Sequence, residues 1–152
     1  MYKSIFIDLD DTVWAFSENA RDTFQDMYSK YRFDRYFDSF EQYYKLYSKR
    51  NAELWEEYGR GEITKEELND SRFSFPLLQV GVDDKLLVKA YSEDFFSEII
   101  YKKKVMPYVH EALEYLGENS FKESLIEKAD LSGCTRLTTL ENVFSWCAHL
   151  RE

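Results

Sequence analysis

Ser4-Ile5-Phe6-Ile7-Asp8-Leu9-Asp10-Asp11-Thr12-Val13 places three carboxylates at the end of an apolar run. Ile5, Phe6 and Ile7 read as a strand of a sheet covered on both faces. Asp8 and Asp10 are two residues apart, so on an extended chain their side chains point the same way. Asp11 and Thr12 suit the turn that leaves the strand. Two carboxylates aimed together repel each other unless something cationic lies between them. The C-terminal end of a parallel strand is also where open α/β sheets take their ligands. A Mg²⁺ site is the economical reading, because Mg²⁺ takes oxygen ligands and bridges carboxylates to a substrate phosphate. Asp-x-Asp alone is common in solvated turns; the apolar run before it and Asp-Thr-Val after it set this one apart.

This segment resembles motif I of the haloacid dehalogenase (HAD) superfamily, a hydrophobic strand followed by Asp-x-Asp-x-Thr or Val. The resemblance implies that Asp8 is the nucleophile and Asp10 the general acid/base. Thr12 falls on the motif's last position, and the resemblance assigns it to substrate binding. It also implies that Mg²⁺ is held by the Asp8 carboxylate and the Asp10 backbone carbonyl. An acid at the Asp10 position implies a phosphatase rather than a dehalogenase. The expected activity is hydrolysis of a small phosphomonoester, nucleotides among the candidates, through an aspartyl-phosphate. The chemistry stands on its own terms. A carboxylate is ionised at pH 7, and covalent catalysis splits one hard step into two. Phosphoryl transfer asks mainly for positioning and charge neutralisation. Asp10 must hold a proton near neutral pH, and the neighbouring Asp8 pushes its pKa in that direction.

The chain has 152 residues, a length suited to one domain or one domain with an insertion. Its hydrophobic share of 44% and aromatic share of 18% predict a packed core. Twelve Tyr and twelve Phe suggest packed helices whose tyrosines bury the ring and keep the hydroxyl wet. A net charge of −9 argues against nucleic acid as a partner. Lys102-Lys103-Lys104 is too short a basic run to alter that and reads as a solvated helix end. Cys134 and Cys147 read as reduced thiols rather than a disulfide frame, and His110 and His149 are isolated. No apolar stretch reaches membrane-spanning length, and residues 1–7 do not read as a signal peptide. The expected location is the cytoplasm, with no membrane partner.

Beyond Val13 the periodicity turns helical. Phe16, Ala20, Phe24, Met27, Tyr28 and Tyr31 share one face. Ser39-Phe40-Glu41-Gln42 reads as a capping box opening a second helix through Phe40, Tyr43, Tyr44, Tyr47, Leu54, Trp55 and Tyr58, stopped at Gly59 and Gly61. Thr64-Lys65-Glu66-Glu67 is a second capping box, and its helix is expected to break at Pro76. Asp83 is expected to cap a fourth helix with Leu86, Ala90, Tyr91, Phe95 and Ile99 inside. A four-helix insertion straight after motif I resembles the α-helical cap of HAD subfamily I. Gly61 to Leu68, with Arg72-Phe73, is similar to the cap of its 5′-nucleotidase-like members. Pro107 then starts a helix at its favoured first position, with Val109, Ala112, Leu113 and Leu116 apolar and Gly117 at its end. His110 on this helix reads as structural.

After Gly117 the resemblance calls for a strand ending in Ser or Thr, then a phosphate-binding Lys, then an acidic pair. Ser120-Phe121-Lys122-Glu123 instead reads as a capping box of a helix through Leu125, Ile126 and Ala129. Lys122 and Lys128 read as helix-surface charges. Residues 134–152 offer a short helix or a poor strand, with Glu141 the only acid before Glu152. The expected architecture is therefore α/β: an incomplete HAD-like Rossmannoid parallel sheet with a four-helix cap inserted after the first strand. The partial core is assigned to 1–14 and 104–152, and the cap to 15–103, as in a hydrolase truncated or shifted in frame after the cap. Three readings remain: a phosphatase, a catalytically impaired or inactive relative lacking the downstream motifs, and a helical interaction module. Substrate identity, catalytic competence and oligomeric state are left open by the sequence.

Overall fold

The computed structural model describes residues 4–118, 122–126 and 137–139. Expectations for Cys134, Cys147, His149, Lys128 and Glu141 lie outside them. Strand β1, Ser4–Ile7, is followed by helices α1 (Phe16–Lys30), α2 (Phe40–Gly59), α3 (Lys65–Gln79), α4 (Lys85–Ile99) and α5 (Val109–Glu118), then strands β2 (Lys122–Ile126) and β3 (Leu137–Thr139). A short 3₁₀ turn at Phe33–Arg35 links α1 and α2. The described residues are mostly helical. β1 pairs parallel with β2, Ser4 opposite Lys122 and Ile7 opposite Leu125, and β2 pairs antiparallel with β3. The helix expected from Ser120 is thus a strand over Lys122–Ile126: pairing with β1 overrides a local capping pattern.

The chain divides into two compact units, residues 1–20 with 103–152, and residues 21–102. In the first, Val13, Val109 and Leu113 are buried, and Ile7, Leu9 and Met106 pack against them. This cluster joins the end of β1 to α5. Helix α5 begins at Val109 rather than at Pro107, because Tyr108 takes a left-handed φ of 64° and holds the chain in a turn for two more residues.

The second unit has an aromatic core. The Phe24 ring lies 4.1 Å from Tyr47 and 4.4 Å from Phe95, and Phe33 stacks on Tyr91 at 5.0 Å. Aromatic pairs at such spacings are worth about 0.5–1.5 kcal/mol beyond their buried area. Tyr43 and Tyr91 are 0% and 1% exposed, and the Tyr43 hydroxyl donates to the Tyr91 oxygen at 2.8 Å. Their hydroxyls are therefore not wet, as the composition had suggested, but satisfied by each other.

The helix ends follow local chemistry with small displacements. Ser39 accepts from the Gln42 N–H, and the Thr64–Glu67 box is complete. Asp84, not Asp83, caps α4, accepting from the Leu86 and Leu87 N–H groups. Tyr91, Phe95 and Ile99 are buried at helical spacing, whereas Leu86 is 81% exposed and Ala90 lies on the open side. Trp55 and Tyr58 at the end of α2 also face outward. Pro76 does not end α3, which runs three residues further; Pro76 and Leu77 are both buried, and that burial outweighs the backbone bond lost to the ring. Gly61, at φ 72°, ends the α2 connection in the left-handed region, as a glycine permits. No described helix is long and apolar enough to cross a membrane.

Candidate functional site

Regular pairing of β1 stops at Ile7, so Asp8 to Asp10 lie in the segment just past the strand rather than on it. Asp8 is exposed, while Asp10 is half-buried and forms an isolated bridge with Trp14. The segment folds into a compact turn around one carbonyl. The N–H groups of Thr12, Val13 and Trp14 all donate to the Leu9 oxygen, at 3.3, 2.9 and 2.9 Å, and the Asp11 N–H returns to the Trp14 oxygen at 2.8 Å. The half-buried Leu9 side chain anchors the turn in the Val13–Val109–Leu113 cluster. Apolar Leu9 thus points inward between two acids, which is what the Asp-Leu-Asp pattern encodes.

The three acids are not equivalent. Asp11 takes a left-handed φ of 53°, a conformation Asp tolerates better than most residues. Its carboxylate accepts from the Ser17 N–H at 2.8 Å and from the Ser17 hydroxyl at 2.6 Å. It thereby satisfies a donor in the first turn of α1 that the helix itself leaves open. Thr12 is exposed on the turn and gives its N–H to Leu9.

Among the described residues, no group of three or more His, Cys, Asp or Glu side chains gathers to hold a metal ion. The oxygens of Asp8 and Asp10 nonetheless fit Mg²⁺ in kind, since that ion is commonly bound by one or two carboxylates and fills its remaining positions with water and phosphate. Of the lysines considered for phosphate binding, Lys122 starts β2, and Lys128 lies outside the described residues.

Two residues stand out: Asn19, which sequence reading passed over, and Arg72, met there only within the cap-like stretch. Asn19 is 0% exposed, and its carboxamide holds both backbone groups of Lys104. A polar residue on the apolar face of α1, between Phe16 and Phe24, was the available signal. Arg72 is half-buried beside the rings of Phe73 and Phe96, and burial pushes its pKa down.

The fold is similar to that of the HAD-hydrolase YfnB of Bacillus subtilis bound to magnesium, with a TM-score of 0.71 and 17% identity over 83% of this chain and 52% of that one. A dehalogenase matches with a TM-score of 0.45 and 18% identity, over 84% of this chain and 51% of that one, a likeness too slight to argue from. The chain therefore spans about half the length of the solved structures it matches. No protein-family model matches it, and neither does any curated protein sequence. The chain thus has a HAD-like fold, and a shared fold does not by itself carry a shared activity.

Proposed function

We propose that this chain is a Mg²⁺-dependent phosphatase of the HAD type, acting on a small phosphomonoester such as a nucleotide. The observation that carries this reading is the exposed Asp8 at the end of β1, two residues before Asp10, in a HAD-like fold. An Asp8 oxygen attacks phosphorus, and the bond from phosphorus to the ester oxygen breaks. Asp10 gives its proton to the departing alkoxide. Asp10 then takes a proton from the water that attacks the same phosphorus, releasing Asp8 and inorganic phosphate. Thr12, exposed on the same turn, is read as a contact to the phosphate. The Asp8 carboxylate and the Asp10 backbone carbonyl would hold Mg²⁺, which would supply charge neutralisation for the phosphoryl oxygens. The four helices α1 to α4 are read as the subfamily I cap, the part on which choice of substrate rests.

A second reading has its own observation. The described residues bring no third acid to Asp8 and Asp10. Because positioning and electrostatics carry phosphoryl transfer, a chain without the remaining groups would fold and turn over little. Turnover of p-nitrophenyl phosphate with Mg²⁺, measured for the wild type and Asp8→Asn, separates the two. The phosphatase reading expects wild-type turnover that is abolished in Asp8→Asn. Turnover undiminished in that variant sinks the mechanism, and an inactive wild type favours the second reading.

A further inference from the structure

Asn19 reaches 85 positions along the chain. Its Nδ2 donates to the Lys104 carbonyl at 2.8 Å, and its Oδ1 accepts from the Lys104 N–H at 3.1 Å. The same Lys104 carbonyl accepts from the Ala15 N–H at 3.1 Å. Next in line, Val105 forms an antiparallel bridge with Trp14, and the Met106 N–H donates to the Val13 oxygen at 2.9 Å. Asn19 is thus the side-chain anchor of a short ladder between residues 13–15 and 104–106. The acid turn hangs from the same ladder. Trp14 donates to Leu9, accepts from Asp11 and bridges Asp10. What holds Val105 against Trp14 therefore also holds Trp14 against the turn that carries Asp8 and Asp10.

We propose that Asn19 is a positioning residue for the Asp8–Asp10 turn, acting through Lys104–Met106 and Trp14. The amide is suited to this task because it offers a donor and an acceptor on one rigid plane, matching the C=O and N–H of one backbone residue. Its complete burial means that neither backbone group would be rehydrated cheaply once the amide is gone. Aspartate at this position would keep the acceptor but set its second oxygen against the Lys104 carbonyl oxygen in a buried site, so its effect should be at least that of alanine. The ladder belongs to the structure alone; only the ion-binding consequence rests on the proposed function.

Two measurements on the full chain test this. Amide hydrogen exchange in Asn19→Ala is expected to speed up by about tenfold or more at Asp11, Trp14 and Met106, as the loss of buried hydrogen bonds implies. Exchange in α3 and α4 should stay unchanged. Isothermal titration with Mg²⁺ alone is expected to show binding weakened by about tenfold in Asn19→Ala and by at least as much in Asn19→Asp, the scale on which supporting contacts act on metal ligands. Leu68→Ala, which opens a cavity at a buried position in the helical unit, should leave Mg²⁺ affinity unchanged. If Asn19→Asp does not fold, the exchange pattern of Asn19→Ala decides. Unaltered exchange at Asp11 and Trp14 overturns the positioning role. A wild type that binds no Mg²⁺, combined with faster exchange in the variant, refutes the proposed function and leaves the positioning role standing.

Discussion

The buried Tyr43–Tyr91 pair gives a sharp test of what holds the helical unit together. In Tyr43→Phe the Tyr91 hydroxyl stays in the core and loses the donor that now stands 2.8 Å away. The Tyr91→Phe change strands the Tyr43 hydroxyl in the same manner. A buried polar group left without a partner costs about 1–3 kcal/mol. Replacing both residues removes both hydroxyls while keeping the rings against Phe33, Tyr43 edge-on at 5.4 Å and Tyr91 stacked at 5.0 Å. The double variant should therefore cost less than the two single changes added together, with a coupling energy of about 1–3 kcal/mol. For a unit of this size, a loss of about 2 kcal/mol lowers the melting temperature by roughly 8–16 °C. Far-ultraviolet circular dichroism melts and urea titrations of the wild type and the three variants complete the cycle. Single variants within about 0.5 kcal/mol of wild type, or a double variant costing the full sum, would refute the claim that these hydroxyls sustain each other.

Two further outcomes follow from the acids and the tyrosines. Asp11→Asn should be nearly neutral, Asp11→Gly should lose the Ser17 bonds while keeping the turn, and Asp11→Ala should lose both, at about 2 kcal/mol for the cap and the left-handed backbone together; urea unfolding and exchange at the Ser17 amide would expose a different order. Burial pushes the Tyr47 and Tyr31 hydroxyls up to about 12 and raises Tyr43 and Tyr91 as well. Each keeps its proton more tightly folded than unfolded, so stability should be complete below about pH 10 and fall as pH rises from there through about 12. A urea midpoint that stays flat between pH 8 and 11.5 would contradict this.

Much of the chain could be read from its residues because local signals there agree with tertiary demands. Ser39 and Thr64 announce α2 and α3, and the faces Phe24–Met27–Tyr28 and Tyr91–Phe95–Ile99 are the ones buried. Reading failed where a distant partner decides. Lys122–Ile126 carries a helical capping pattern yet is drawn into a strand by β1. Pro76 sits inside a helix because the surrounding core holds it there. Of the acid cluster, sequence gave the position at the strand's end but not the division of labour. That Asp11 serves Ser17 depends on a left-handed residue, which spacing alone does not reveal.

The bridge between Trp14 and Val105 has a consequence for how such a chain is assembled. Facing residues of an antiparallel pair are about 4.5–5.5 Å apart, so everything from residue 16 to residue 103 leaves and re-enters at neighbouring points. The part of the helical excursion beyond Asn19, which itself holds Lys104, is therefore a cassette: it can be lengthened or exchanged without stretching the backbone that carries Asp8 and Asp10. Selection or an engineer could change what the helices recognise while leaving the acids where they are.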